Sequence, residues 1–195
     1  MQTTPSVVTP ERYSSGFTYQ DFLAQIKVNR ERFDEFYESG QLNAEDTEFF
    51  RKAVQAPGGV SKMMVIGEPW CPDVFRGMPV AARISEATGL EMRIFPRDEN
   101  LDIMNEFLNR GEHISIPVIV FYNSDLNPIC HWIERPVLAN QEREQIEAGV
   151  KLEMPDADDQ ERRTETRGRT QTRYTAWQQE SIREMRQMLA EKLGI

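Results

Sequence analysis

The chain has 195 residues and a formal net charge of −9, with 39% apolar and 9% aromatic residues. This length and apolar content suffice for one globular domain with extensions and a sizeable core. Nucleic acids and anionic membranes attract clustered Lys and Arg side chains, so an acidic chain of this kind is not expected to bind either.

The first residues, the apolar runs and the cysteines of the chain indicate its cellular location. Its start, Met1–Pro5, has neither a basic nor an apolar segment, so no secretory signal is predicted. No apolar run approaches the roughly 20 residues that cross a bilayer. The two cysteines do not form a C-x-x-C pair, which fits a reducing compartment better than a disulfide framework. We therefore expect a cytoplasmic protein.

Residues 1–59 are predicted to form an N-terminal arm and a helical extension. The arm shows no periodicity before Thr18, which with Asp21 three residues later resembles a capping box and predicts a helix running to Gly40. A second helix is predicted over Ala44–Gln55. We expect these helices to cover an edge or face of a sheet; a surface dedicated to a partner is the alternative.

Residues 60–152 alternate between strand and helix patterns, which we assign in chain order to a strand at 60–66, a helix at 74–88, a strand at 90–95, a helix at 101–109, strands at 118–122 and 128–133, and a helix from 136. This βαβαββα order predicts a parallel βαβ half joined to an antiparallel hairpin. The predicted fold class is therefore α/β, with a mixed central sheet and helices on both faces.

Residues 153–195 change in character. The stretch 155–172 is rich in charges of both signs and holds no large apolar side chain, so it is predicted to be a linker or a solvated helix. From Tyr174 onward, apolar residues return at helical spacing. This amphipathic C-terminal helix would pack on its own domain or, alternatively, dock on a second subunit and form a homodimer.

A thiol motif, Trp70–Val74, follows the first predicted strand. It places Cys71 on the first turn of a helix, where free N–H groups and the helix dipole favour the thiolate. Pro72 suits the first helical position, where its missing N–H costs nothing. Asp73, with Glu68 adding to it, brings negative charge near the sulfur and would raise the pKa of the thiol. The sequence leaves open which effect dominates.

The second feature is an Ile116-Pro117 step that opens a strand-like run about 45 residues after Cys71. Together the two motifs resemble the thioredoxin superfamily, in particular bacterial thioredoxin-like proteins whose active site begins Trp-Cys-Pro-Asp, and the resemblance covers about residues 60–136. It implies a thioredoxin-like fold in which the Ile116–Pro117 bond is cis and lies against the active-site cysteine. It also implies that the backbone of Ile116 pairs with an extended substrate segment.

Two residues depart from the thioredoxin pattern. Val74 stands where the second cysteine of a C-x-x-C pair would be, and Val65 stands where thioredoxin has a buried Asp. Without a second thiol, Cys71 would form a mixed disulfide that an external thiol such as glutathione must release. Both departures fit one-thiol chemistry and a retired active site equally well.

The other cysteine and the two histidines have no predicted catalytic or metal-binding role. Cys130 lies on the last predicted strand, which is expected to lie well away from the helix that carries Cys71. A disulfide between the two would need their Cα atoms within about 7 Å. We therefore expect Cys130 to be buried and unreactive rather than a resolving partner. His113, after Glu112, is expected to be a solvated loop residue rather than a partner of Cys71, and His131 has no assigned role. These scattered residues do not support a metal site. An iron–sulfur cluster shared between chains, as in some one-cysteine glutaredoxin-like proteins, is a remote alternative.

The sequence thus predicts a single-cysteine thiol–disulfide oxidoreductase with Cys71 as its nucleophile, acting on protein or low-molecular-weight disulfides or on glutathione-capped cysteines. Trp70 would shield the sulfur, Asp73 would cap the helix and tune the thiol, and Ile116 with Pro117 would orient the substrate. No cofactor is expected, apart from glutathione as an external reductant. The alternative is a redox-inactive binding or adaptor module with the same fold.

Overall fold

A four-stranded mixed sheet lies at the centre of the computed structural model, which describes residues 5–195. Its strands are β1 (Lys62–Gly67), β2 (Glu91–Pro96), β3 (Val118–Tyr122) and β4 (Pro128–Ile133). The α-helices in the described part of the chain are α1 (Pro10–Ser14), α2 (Tyr19–Gln25), α3 (Arg30–Ser39), α4 (Ala44–Gln55), α5 (Pro72–Thr88), α6 (Leu101–Met104), α7 (Val137–Glu153), α8 (Asp159–Gln171) and α9 (Tyr174–Leu193). A short 3₁₀ helix, Arg97–Glu99, precedes α6.

The strands lie in the order β2-β1-β3-β4, with β1 and β2 parallel and the other two pairings antiparallel. Strand β1 is apolar on both faces, and its residues Met63–Ile66 are fully buried. Such a continuous apolar run is typical of a strand that is covered on both sides. The predicted α/β class, with a parallel βαβ half joined to a hairpin, is confirmed.

The N-terminal arm is more ordered than the sequence predicted. Its first four residues, with the leader prediction made there, lie outside the described residues. Helix α1 follows, and the hydroxyl of its Tyr13 donates to the carbonyl oxygens of Met63 (3.0 Å) and Glu91 (2.8 Å). Phe17 exchanges two backbone hydrogen bonds with Ile94 of β2. These long-range contacts, which local periodicity does not report, hold the arm on the sheet.

The first long helix predicted in this extension is in fact two helices. The chain becomes extended at Ile26, and Asn29 adopts a left-handed conformation with φ 60°. Asparagine tolerates this conformation better than most residues. Its side-chain amide donates to the carbonyl oxygen of Pro69 at 2.9 Å, which ties the break to the loop before Cys71.

Helix α6 is shorter than predicted. It ends at Met104, after which hydrogen bonds from Glu106 N to Ile103 O and from Phe107 N to Met104 O form tight i→i+3 turns. A further turn closes at Gly111, whose φ of 76° suits glycine. The extra turns bring the chain back toward the Ile-Pro step.

The C-terminal segment is helical and packed. Residues 159–171 form α8, which starts at a capping box between Asp158 and Glu161, so the solvated-helix alternative describes this segment. The apolar stripe of α9 is buried against α4, α5 and β4 of the same chain. Arg186 of α9 also binds Asp46 of α4 at 2.5 Å. Among the described residues, no helix has the length and apolar character to cross a membrane.

Candidate active site

Cys71 is the N-cap residue of α5, at the point where the chain leaves β1. Its carbonyl oxygen accepts hydrogen bonds from Val74 N (3.1 Å) and Phe75 N (3.2 Å). Val74 is fully buried, and a Cβ at Gly67 would lie only 2.8 Å from one of its methyl groups. The side chain that replaces a second cysteine therefore fills the space between α5 and the end of β1.

The Ile-Pro step lies against this cysteine. The Ile116–Pro117 peptide bond is cis, and the Cys71 Sγ is 3.8 Å from the carbonyl oxygen of Ile116. Pairing of β3 with β4 begins only at Val118, so the backbone of Ile116 is outside the ladder of the sheet. Gly77 allows the close packing of α5 here, because a Cβ at that position would lie 3.1 Å from Pro117 Cγ.

A buried ion cluster forms around Asp73, two residues after Cys71. The Asp73 side chain is only 7% exposed. Its Oδ2 accepts from Nε (3.0 Å) and Nη2 (2.6 Å) of Arg135, which follows β4. Its Oδ1 is bound by Arg76, one helical turn further along α5, and Arg135 also pairs with Glu134. Two guanidinium groups thus surround the carboxylate nearest to the thiol in sequence.

Arg76 connects this cluster to the C-terminal helix. Its side chain is 1% exposed, and its Nε and Nη1 have no hydrogen-bond partner among the described residues. Its guanidinium carbon lies 5.2 Å from the ring centre of Tyr174 and 5.3 Å from that of Trp177, both on α9. The Gln178 side-chain amide donates to the carbonyl oxygen of Arg76 at 3.2 Å. Aromatic faces therefore take the place of hydrogen-bond acceptors around Arg76.

The pKa of the Cys71 thiol is raised, above all because the sulfur is partly buried and also because the Asp73 carboxylate is close. The backbone N–H groups of Val74 and Asp73 and the positive charge of Arg135 act in the opposite direction. Burial, which the sequence does not report directly, decides the balance that the motif left open. Glu68, the other carboxylate that the sequence placed near the sulfur, accepts a hydrogen bond from the backbone N–H of Asp98 at 2.8 Å.

Several large apolar side chains are exposed on Trp70 and on segments next to the site. Trp70 is 51% exposed, and the guanidinium of Arg97 lies 5.2 Å from the centre of one of its rings. Other large apolar side chains exposed on neighbouring segments are Val28 before Asn29, Ile114 before the Ile-Pro step, and Val137 after Arg135. Each of these segments contacts the loop or the helix that carries Cys71.

The remaining candidates are not part of this arrangement. Cys130 is buried in β4 opposite Phe121, and burial raises its pKa to about 12. Both cysteines are free thiols. His113 is exposed in the turn it forms with Asn109, and His131 lies on β4. Within residues 5–195, no three His, Cys, Asp or Glu side chains are grouped to hold a metal ion.

Neither Arg76 nor Arg135 was predicted as a site residue from the sequence. An Asp73-x-x-Arg76 spacing on a helix indicates an ion pair, so the first guanidinium was readable from the sequence. The role of Arg135 depends on where β4 ends relative to the N-terminus of α5, which only the register of the sheet fixes.

Comparison with known proteins agrees with this architecture. A family model described as thioredoxin matches residues 16–147, more than half of the chain. No curated protein matches. Matching solved structures include a protein of unknown function from Pseudomonas aeruginosa, with 15% identity, a TM-score of 0.62, and coverage of 92% of this chain and 95% of that one. An HIV epitope-scaffold matches with 16% identity, a TM-score of 0.63, and coverage of 93% and 96%. At these identities the likeness shows the fold alone.

Proposed function

Because the chain belongs to the thioredoxin family, we propose that it is a thiol–disulfide oxidoreductase working through the single thiol of Cys71. The observation that carries this proposal is the position of the Cys71 Sγ, at the N-cap of α5 and 3.8 Å from the Ile116 carbonyl oxygen. A thiol in this position is partly accessible beside a backbone segment that the sheet does not use.

The chemistry requires two exchange steps. On a glutathione-capped cysteine, the Cys71 thiolate attacks the glutathione sulfur, a Cys71–glutathione disulfide forms, and the substrate leaves as a thiolate that takes up a proton. A second glutathione thiolate then attacks the glutathione sulfur of this mixed disulfide. It forms oxidised glutathione and releases Cys71 as the thiolate. Over the two steps the substrate sulfur is reduced and the sulfur of the incoming glutathione is oxidised, so one free glutathione is consumed and one oxidised glutathione, which includes the former cap, is released.

We propose that the substrate segment is extended, on the basis of two features near Cys71. The backbone of Ile116 lies outside the sheet ladder and would form a short β-bridge, and the exposed side chains of Trp70, Ile114 and Val137 on neighbouring segments would add apolar contact. Substrates of this kind are disulfides or capped cysteines within an accessible polypeptide, or low-molecular-weight disulfides. The thiol that the second step requires is abundant in a reducing cytoplasm, which is the location we propose.

The raised pKa of Cys71 determines how this activity depends on pH. The thiolate is a minority species near neutral pH, so the rate of the first step increases as the pH rises. A sulfur with a raised pKa is also a poor leaving group, so the mixed disulfide with Cys71 is released slowly.

The test is glutathione-dependent reduction of a glutathionylated peptide. We expect the wild-type chain and Cys130→Ser, the matched control that removes the buried thiol, to be active. Cys71→Ser should reduce the rate to that of glutathione alone. Equal rates for all three chains would overturn the proposal.

A redox-inactive binding module is the second candidate. It is favoured by the raised pKa of Cys71 and by Val74, which fills the place of a resolving thiol. In that case the groove beside Ile116 would hold a partner without exchange of electrons. Equal reduction rates for wild type and Cys71→Ser, with a partner segment that still binds to both, would support this second function.

A further inference from the structure

Asp73 is a buried carboxylate only two residues from the reactive sulfur. Its own negative charge raises the pKa of the Cys71 thiol. Buried carboxylates require partners, because the loss of hydration is otherwise costly. The groups that bind the Asp73 carboxylate therefore also affect how strongly its charge acts on the sulfur.

The two partners are guanidinium groups that come from different elements. Arg135, at the end of β4, makes a two-nitrogen contact with Oδ2 of Asp73, at 3.0 and 2.6 Å. Arg76 binds Oδ1 from within α5. A planar two-nitrogen contact of this kind fixes the orientation of a carboxylate.

Arg76 is in turn held by α9, which lies beyond residues 16–147 matched by the family model. The rings of Tyr174 and Trp177 cover its guanidinium group, and Gln178 binds its carbonyl oxygen. The orientation of Arg76 toward Asp73 therefore depends on a helix that the family match does not include.

We propose that Arg135 and Arg76 are positioning residues for Cys71: they hold the Asp73 carboxylate between two positive charges and so limit its effect on the sulfur. The catalytic consequence rests on the proposed function, whereas the effect on the thiol does not. Loss of Arg135 leaves Asp73 with one guanidinium and makes the thiol harder to ionise. Loss of the Asp73 charge leaves the positive charge of Arg135 to act on the sulfur and makes the thiol easier to ionise.

Other charged or titratable groups face this cluster and must be held constant in the test. Glu134 follows β4 and pairs with Arg135, and Tyr174 lies on α9. Arg32 on α3 and Arg143 on α7 act on Tyr174, and Glu68 lies in the loop before α5. The test variants leave all of these groups in place.

The experiment is the pH dependence of Cys71 alkylation by iodoacetamide, in full-length chains that carry Cys130→Ser. The variants are Asp73→Asn, Arg135→Gln and Arg135→Lys. Arg83→Gln is the matched control, because its side chain is as exposed as that of Arg135 (16% in both), it lies on α5, and it pairs with Glu86.

We expect opposite effects from the two neutral substitutions. At a fixed neutral pH, Asp73→Asn should raise the thiolate fraction about tenfold, and Arg135→Gln should lower it about tenfold, as expected for one nearby charge. Arg135→Lys should restore most of the wild-type profile, and Arg83→Gln should leave the profile unchanged.

Displacement of both profiles in the same direction, or of neither, would overturn the inference. If Arg135→Gln does not fold, as judged by circular dichroism, Asp73→Asn still decides: its inflection must move to lower pH. Alkylation requires no catalytic turnover. A chain without reductase activity but with opposite displacements would therefore contradict the proposed function and support the positioning role.

Discussion

Trp177→Ala tests whether α9 is an integral part of the folded unit. The Trp177 side chain is fully buried, its ring covers Arg76, and its Nε1 donates to Glu142 at 2.6 Å. A buried aromatic side chain removes about 150–250 Å² from water, and about 25 cal/mol per Å² gives roughly 4–6 kcal/mol as an upper bound. Measured losses for Trp→Ala in cores are about 3–5 kcal/mol.

We therefore expect Trp177→Ala to lower the free energy of unfolding by about 4 kcal/mol, a large part of the roughly 5–15 kcal/mol typical of a folded protein. The assay is urea unfolding followed by circular dichroism. Trp70→Ala is the matched control: its ring is 51% exposed, so its cost should stay within about 0.5 kcal/mol. Equal midpoints for the two variants would refute the view that α9 stabilises the domain through this residue.

Three further predictions concern the thiols and pH. Val74→Cys should let Cys71 form an internal disulfide under mild oxidation, because helical positions three apart have Cα atoms about 5 Å from each other; thiol titration that still finds every cysteine free would contradict this. Unfolding free energy should fall as pH rises from the ordinary cysteine pKa of 9.0 toward about 12, because burial raises the pKa of Cys130 and the native state keeps a proton that the unfolded chain loses. Urea midpoints that stay constant for wild type over this range, or fall as steeply for Cys130→Ala, would refute that assignment. The deglutathionylation rate should rise with pH beyond neutrality, because the pKa of Cys71 is raised; a rate that levels off below pH 7 would show an activated thiolate instead.

The sequence predicted those parts of the fold that local patterns determine. The apolar run of β1, the N-terminal turn of α5 and the β3–β4 hairpin each carry their own periodicity or turn residues, and each was placed within a few residues. The break before Asn29 and the order of the arm were missed because they depend on contacts with Pro69 and Ile94, far away in the sequence. The packing of α9 on its own domain could not be assigned from the sequence, because an amphipathic stripe does not show which surface covers it.

The candidate site was predictable to a similar extent. Cys71, Ile116 and Pro117 were found from motif and spacing, and the structure brings them together. The partners of Asp73 required the register of the sheet. The direction of the Cys71 pKa required its burial, which depends on how the whole loop packs. Electrostatics at such a site are set by packing as much as by the nearest charges.

The most direct test of the central claim is to trap the mixed disulfide. Folded Cys130→Ser and Cys71→Ser chains would be incubated with oxidised glutathione above pH 9 and examined by intact mass spectrometry. We expect one glutathione adduct on Cys130→Ser, removed by reduced glutathione, and none on folded Cys71→Ser. Failure of Cys130→Ser to form the adduct while folded would contradict the assignment of Cys71 as the nucleophile.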